Sequence, residues 1–519
     1  MALKPLPIGI QDFKSLRTDD YLYIDKTEAY FQNFEHGKYF FLSRPRRFGK
    51  SILLSTLKYL YKGEKDLFTG LWIEDKWDWE KKHPIIHVDL SQIDTRNSSL
   101  QIGLMMQMKR QAQTYDITLR GNSATDCFQE LIYELGKSNE KCVVLIDEYD
   151  KPITDYITDS QTSEQHIKEL KSFYGVLKGA DQYLHKVVIT GVSKYGKVSI
   201  FSDLNNLAEI SMKPEAALVC GYTQQELEHY FDEYIDEACT QFEIDRTTLL
   251  AQIRYWYNGF TFDTKMSEKL YNPFSILNFF SQYDFRNFWY ATGTPTFLAE
   301  MIAEEEFRPE NLEYFKATDL LFQSADIDNI DALSLLYQTG YLTIKNIQKS
   351  GVTRIYTLGY PNYEVRESFV VYLMATYMQE TPSQISQGLI VELKLALMDR
   401  DWQRIINVLN HVFATVPYQI FGTNEAYYHS LVHVTLTLSG FLVLSELLTN
   451  KGRIDTVLET DDLVVIFEFK IDSTAEIALA QIKEKKYAER YAKSDKDLFL
   501  IGVNFDSEER TITSWVLDL

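Results

Sequence analysis

Residues Ser43 to Ser51 read SRPRRFGKS. Before them, Lys38–Leu42 (KYFFL) is a short apolar run with strand character. After them, Ile52–Tyr61 (ILLSTLKYLY) carries apolar residues at helical spacing. A strand, a tight loop ending Gly-Lys-Ser and a helix make up the context that a phosphate-binding loop requires. Helix-start amides point at an anion, Lys50 adds a positive charge, and the Ser51 hydroxyl can reach a magnesium ion. The loop departs from G-x-x-x-x-G-K-S at one place. Arg44 stands where the first glycine is usual, followed by Pro45, Arg46 and Arg47. The plain alternative is a basic turn ahead of a buried helix. Under the nucleotide reading, Arg46, Arg47, Phe48, Gly49, Lys50, Ser51 and Ile52 form the cofactor-binding turn.

Three more strands are expected downstream. PIIHVDLS (Pro84–Ser91) is one. CVVLIDEYD (Cys142–Asp150) is the second, five apolar residues that end in Asp147-Glu148. A continuous apolar run suits a strand covered on both faces of a parallel sheet, and ligands bind at the C-terminal ends of such strands. Asp147 is placed to hold the shell of a magnesium ion, and Glu148 to orient or activate the attacking water. Two solvated acids closing a strand are the plain alternative. The third strand is HKVVITGVSK (His185–Lys194), whose polar end puts Thr190, Ser193 or Lys194 near the terminal phosphate. Helices are expected at about 99–112 and 124–136. A strand lying between the loop strand and the acidic strand is what ASCE-type NTPases have, and the assignment to that group is by resemblance.

The composition limits what else the chain can be. It has 519 residues, 45% hydrophobic and 14% aromatic, enough for several packed cores. A formal charge of -21 argues against a protein that coats DNA, so any nucleic-acid site must be local and helped by metal ions. Cys127, Cys142, Cys220 and Cys239 lie far apart and form no C-x-x-C pair, which suits a reducing cytoplasm. No signal peptide and no run of 18 apolar residues is visible, so a cytoplasmic location without a membrane span is expected.

In the middle, Thr223 and Glu226 fit a capping box that opens an acidic helix, TQQELEHYFDEYIDEA (Thr223–Ala238). The aromatics of WYNGFTF (Trp256–Phe262), YNPFSILNFF (Tyr271–Phe280) and WYATGTPTFLAEM (Trp289–Met301) are expected to be core. LLYQTGYLTI (Leu335–Ile344) and TRIYTLGYPN (Thr353–Asn362) suggest a helix running into a hairpin, a winged-helix-like piece used for packing. The expected order is a lead-in segment at 1–37, an ATPase core at 38–212, a helical lid at 213–305, the winged-helix-like region at 306–370, a helical connector at 371–410 and a last domain at 411–519.

The sharpest chemistry lies in that last domain, in GRIDTVLETDDLVVIFEFK (Gly452–Lys470). A two-residue turn at Asp461-Asp462 pairs Thr460 with Leu463 and, counting outward, sets Asp455 opposite Glu468. Lys470 shares that face. Ile454, Leu458, Phe467, Phe469 and Ile471 occupy the other face and form a core surface. Opposed carboxylates repel each other and call for a cation. A divalent metal between Asp455 and Glu468 would polarise a phosphodiester and activate water, with Lys470 assisting the nucleophile. The plain alternative is an exposed hairpin face with Lys470 neutralising the acids. Glu425 falls in an expected helix, NEAYYHSLVHVTLTL. Glu446 falls in an expected strand, FLVLSELL. Gln481 and Tyr487 fall on an expected amphipathic helix at Ala475–Ala492.

Taken together, YIDKT at Tyr23, FFLSRPRRFGKS at Phe40, VVLIDEYDKPI at Val143, TGVSK with IFSDLNNL from Thr190, WYNGF at Trp256, YNPFSI at Tyr271, GRIDTVLE at Gly452, FEFK at Phe467 and ALAQIKEKKYAERY at Ala478 carry a resemblance that spans nearly the whole chain. The chain resembles bacterial two-part proteins, common in Bacteroidetes, with an N-terminal AAA-ATPase-like domain and a C-terminal PD-(D/E)XK nuclease-superfamily domain. The resemblance implies an α/β protein: a P-loop NTPase parallel sheet with a helical lid and winged-helix-like region, then a restriction-endonuclease-like α/β domain. It implies ATP and magnesium bound through Lys50, Ser51, Asp147 and Glu148, beside which the strand reading adds Thr190. It implies a core triad of Asp455, Glu468 and Lys470 with magnesium or manganese, Glu425 as the helix acid, Glu446 as an accessory acid and Gln481 as the polar helix residue. Nucleic acid is the implied partner, and defence against foreign DNA is one implied role. Arg46, Arg47 or a neighbouring subunit would supply an arginine finger, which leaves a homo-oligomer open. The competing class is a nucleotide-switched interaction protein whose nuclease fold only binds a partner.

Overall fold

The apolar runs around the basic loop and the acidic pair assemble into one sheet. Its strands are β1 (Tyr39–Ser43), β2 (Ile85–Asp89), β3 (Cys142–Asp147), β4 (Leu184–Gly191) and β5 (Ala208–Glu209). They are parallel and run in the order β2-β3-β4-β1-β5, so β4 separates the loop strand from the acidic strand. Every residue of β1 and β3 is buried, because helices cover both faces. The helix after the basic loop is α1 (Lys50–Tyr61). The computed structural model describes residues 3–137, 140–157, 159–194, 196–204, 206–289, 312–322, 332–351, 353–416 and 425–518. Contacts divide the chain into two units, Met1–Thr292 with Lys316–Asn362, and Gly293–Phe315 with Tyr363–Leu519.

At one edge of the parallel sheet, β2 leaves a row of backbone groups without a strand partner. Side chains take the partner's place. Gln107 Nε2 donates to Asp89 O at 2.6 Å while its Oε1 accepts from Asp89 N at 3.2 Å. Gln111 pairs with both backbone groups of His87 at 2.6 Å each. Tyr115 Oη accepts from Ile85 N at 2.8 Å and donates to Ile85 O at 3.0 Å. Spacing of four on the helix Leu100–Gln113 and its exit matches spacing of two on the strand, so one helix face acts as a substitute strand.

The rest of the first unit is mainly helical. Thr223 and Glu226 form the expected capping box on Gln224–Tyr230. Asp232–Phe242, Arg246–Tyr257 and Pro273–Gln282 follow, and β6 (Asn258–Phe260) with β7 (Leu270–Tyr271) makes a small hairpin. The aromatics here are core, as expected: Phe231, Tyr257, Phe279 and Phe280 are buried together, and Leu22 and Ile24 of the lead-in segment join them. Of WYATGTPTFLAEM, everything after Trp289 lies outside the described residues. After β8 (Phe315–Ala317), the helix Ala332–Thr339 runs into an antiparallel hairpin, β9 (Thr343–Ser350) and β10 (Thr353–Gly359).

In the second unit, helices Tyr363–Met378 and Trp402–Thr415 precede α2 (Glu425–Thr437). A five-stranded sheet follows in chain order: β11 (Leu442–Leu448), β12 (Arg453–Glu459), β13 (Leu463–Ile471), β14 (Asp497–Asp506) and β15 (Thr511–Asp518). All neighbours are antiparallel except β13 and β14, which α3 (Ala475–Glu484) joins by a crossover. The β12–β13 register is the one that the Asp461-Asp462 turn dictates, Thr456 facing Phe467 and Glu459 facing Val464. Thr460 N donates to Leu463 O at 2.9 Å and closes that turn. Both sheet faces are covered: Val457, Val464 and Ile466 pack with Ile482 of α3. Leu458 and Phe467 on the other face are also fully buried, as expected, but Ile454, expected with them, joins the cluster of Val457, Ile466 and Ile482 on the α3 side. Among the described residues, no helix is long and apolar enough to cross a membrane.

Candidate nucleotide and metal sites

Gly49 caps α1 with φ 95°, a conformation that L side chains rarely adopt, and no side chain caps the helix start. The first amides of α1 therefore stay available to an anion. The missing first glycine has a physical explanation. Arg44 is 1% exposed, and its guanidinium donates to Ser43 O at 2.9 Å, Ser211 O at 2.8 Å and Ala216 O at 2.9 Å. It also lies 4.4 Å from the Phe262 ring centroid. Phe48, fully buried, meets Phe260 and Phe262 edge-on at 4.8 and 5.1 Å. Arg44 and Phe48 thus fasten the loop from behind, leaving its other side open.

That side faces a cavity of about 390 Å³ lined by Arg46, Arg47, Phe48, Gly49, Lys50, Ser51, Ile52 and Glu148. Arg47 is exposed, with its guanidinium 5.1 Å from the Phe274 ring centroid. Lys50 is 6% exposed and donates to the carbonyls of Arg44 and Pro45 at 2.9 Å each. Burial lowers its pKa, and the charge of Glu148 is the largest opposing influence. The ammonium thus rests on its own loop and must turn outward to meet a phosphate. Asp147 is buried at the end of β3, and its Oδ1 accepts from Thr190 Oγ1 at 2.6 Å and from Glu148 N at 3.0 Å. Thr190 therefore steadies Asp147 and does not line the cavity. Glu148 has φ 51°, and burial raises its pKa.

Sequence reasoning missed the cavity's other wall. Pro7, Ile10, Leu22, Ile24 and Tyr30 of the lead-in segment, together with Leu277, give it an apolar lining. A phosphate-binding turn facing an apolar wall fits a nucleotide, with room for both phosphates and base. The only signal in sequence was the polar-aromatic stretch at Tyr21–Phe31.

In the second unit, carboxylates gather where β11, β12 and β13 end together. Asp455 lies one step beyond Thr456, whose pairing with Phe467 is the last of the β12–β13 register, and its charge acts on Glu468. Phe469 N donates to Asp455 Oδ2 at 2.8 Å. Glu446 lies opposite Asp455 on its other side, between the pairs Ser445–Thr456 and Leu447–Ile454. It takes φ 57° inside a strand, and its Oε2 meets Arg453 at 2.5 Å. The order across the three strands is Glu446, Asp455, Glu468.

Glu468 is fully buried, and its Oε2 has no hydrogen-bond partner among the described residues. Its Oε1 accepts from Lys470 Nζ at 3.3 Å and from Gln481 Nε2 of α3. Gln481 reaches it because Gly502, paired with Glu468, lets α3 approach closely: a Cβ at Gly502 would lie 2.3 Å from Ala475 O. Burial first, and the charge of Asp455 second, push the Glu468 carboxyl up to about 7. Asp455 is raised too, chiefly by burial, with His429 opposing. Glu468 and Asp455 with one orphaned buried oxygen fit a divalent cation by donor type, since hard cations take carboxylate oxygens.

One expected residue lies outside the described side chains, and one placement differs from expectation. Glu425 opens α2, but its side chain lies outside the described residues. One helical turn on, His429 is the α2 residue found at the acids among the described side chains, its Nδ1 3.3 Å from Glu446 Oε1 and its Nε2 3.9 Å from Asp455 Oδ2. The interval of four between Glu425 and His429 was the available signal. The amphipathic helix also stops early, at Glu484. Lys486 takes φ 56°, and Tyr487 then bonds Arg453 O at 2.8 Å.

Comparison with known proteins agrees with both halves. Residues 7–201 match the family described as a predicted AAA-ATPase. Residues 423–515 match the PD-(D/E)XK nuclease superfamily. An "uncharacterized protein in vnfD 5'region" of Azotobacter chroococcum mcd 1 is 36% identical over 531 residues, covering all of this chain and 99% of that protein.

Proposed function

Because the chain belongs to the family that joins a predicted AAA-ATPase domain to a PD-(D/E)XK nuclease-superfamily domain, we propose that it binds and hydrolyses ATP and, under control of the nucleotide, cleaves nucleic-acid phosphodiesters with a divalent cation. The observation that carries the cleavage half is the ordered set of acids at the ends of β11 to β13, with Lys470 and Gln481 on the innermost one. Lys50 and the α1 amides would hold the β- and γ-phosphates. Ser51 and Asp147 would hold magnesium, and Glu148 would take a proton from the attacking water. Asp455 and Glu468 would hold magnesium or manganese in the second unit. The chemistry such an ion supplies when bound is polarisation of the phosphodiester and a lowered pKa for water. Gln481 fixes the rotamer of Glu468, and Lys470 keeps an ammonium beside it to meet a developing negative charge.

The test is cleavage of single- and double-stranded DNA and RNA with magnesium or manganese, with and without ATP. Wild type should cut at least one substrate, and Glu468→Ala and Lys470→Ala should lose roughly 100-fold or more, the usual range for removing a charge-stabilising group. Equal activity in all three proteins would remove the assignment. The net charge of -21 favours a second reading, in which the C-terminal unit binds a protein partner and cuts nothing. ATP-dependent partner capture with no cleavage under any condition would select it.

A further inference from the structure

A second cavity of the first unit, of about 340 Å³, is walled by α1, β2 and the helix Leu100–Gln113. It shares no lining residue with the cavity at Lys50. Three cations line it: Lys58 and Lys62, one turn apart on α1 and its exit, and Arg110 of the other helix. Among the described residues, the Lys62 and Arg110 side chains have no ion-pair or hydrogen-bond partner. Lys58 Nζ comes only within 4.0 Å of Asp12 Oδ1, an oxygen that already accepts from Tyr59 Oη at 2.8 Å. Burial lowers the Lys58 pKa against the charge of Asp12, and the charge of Lys62 lowers it further. Asp89 is the one acid in the lining, and both its oxygens are occupied. Its Oδ1 accepts from Ser91 N at 2.9 Å and from Ser91 Oγ at 2.6 Å, and its Oδ2 accepts from Gln92 Nε2 at 2.7 Å. His87 lies on the same face of β2 and also lines the cavity. Its Nε2 is shielded from solvent and has no hydrogen-bond partner among the described residues. Burial lowers the His87 pKa, so the ring is neutral near pH 7 and adds no further charge.

Lys58 and Arg110 stand in the last turns of their helices, where the dipole favours a cation. That accounts for each one singly. It does not account for three around one hollow in a chain of net charge -21, two of them a like-charged pair one turn apart that repels. We propose that this cavity is an anion site for a small phosphate monoester. Lys58, Lys62 and Arg110 hold the phosphate. A guanidinium and two ammonium groups suit a doubly charged phosphate better than a single carboxylate. The volume is that of a small-molecule site, so the organic part of the ester has room beside His87 and Gln92. The site is independent of the nucleotide reading, since the turn at Lys50 takes no part in it.

The experiment uses the full chain carrying Lys50→Ala, which silences the turn at the first cavity, and calorimetric titration at constant ionic strength. The probes are glycerol phosphate and inorganic phosphate, with glycerol as the uncharged control. Glycerol phosphate should bind saturably, at one site per chain and more tightly than phosphate, and glycerol should not bind. Adding Lys62→Ala or Arg110→Ala should weaken glycerol phosphate about 10-fold or more, the scale of a hydrogen bond between charged groups. Thermal melting checks that each variant folds. Lys109→Ala removes an exposed charge from the same helix outside the cavity lining and should change nothing. Phosphate bound as tightly as its ester overturns the ester and keeps the anion site, with free phosphate as its ligand. Failure of both anions to bind overturns the proposal. So does equal weakening by Lys109→Ala, which reduces the binding to diffuse charge.

Discussion

Arg44 illustrates how much a single residue can hide. The Gly-Lys-Ser ending and its strand–helix setting were legible in the sequence, because a phosphate-binding turn needs both. Why an arginine replaces the usual glycine was not, because its hydrogen bonds go to Ser211 and Ala216, far along the chain. Restoring the common residue with Arg44→Gly should destabilise the first unit by about 2–4 kcal/mol without tightening ATP binding, since buried hydrogen bonds to a charged group are lost. Denaturant unfolding and nucleotide titration measure the two effects. Lys50→Ala should abolish nucleotide binding or turnover, and unchanged ATP affinity and hydrolysis would remove the ATPase assignment. Glu468 makes a prediction about pH. Its pKa rises from 4.5 to about 7 on folding, so the folded protein holds the proton more tightly. The metal-free protein should therefore lose stability as pH rises from about 4.5 to 7, and Glu468→Gln should flatten that decline. Melting temperatures across that range decide it.

At the scale of elements, the β12–β13 register was readable because turn length and side-chain alternation both count in whole residues. The helix contribution was harder. Glu425 and His429 lie one helical turn apart on α2, and of the two only His429 has a described side chain, beside Glu446 and Asp455. The covering of β2 was invisible, since Gln107, Gln111 and Tyr115 look like ordinary polar helix residues until the strand lies beside them. Replacing Gln107 and Gln111 by alanine leaves four backbone groups of β2 without those partners. The double variant should lose about 2–4 kcal/mol and self-associate through the bared edge, as unpaired edges do. Light scattering against concentration gives the readout.

For the molecule as a whole, two units with separate ligands should melt separately. ATP with magnesium at about 100 times its Kd should stabilise the unit holding Lys50 by about 2.7 kcal/mol and leave the other transition in place. Manganese should do the converse, and calorimetry resolves the two. The sequence made both halves legible because each depends on short local motifs. The partnership of distant segments was less so, and the lead-in segment is the clearest case. Its apolar side chains wall the chamber into which Lys50 must turn. A protease cut between Pro7 and Tyr30 would spare the turn proposed to hold phosphates while disrupting the apolar wall proposed to take the base. Such a clipped protein should still retain inorganic triphosphate yet cease to tell one nucleobase from another.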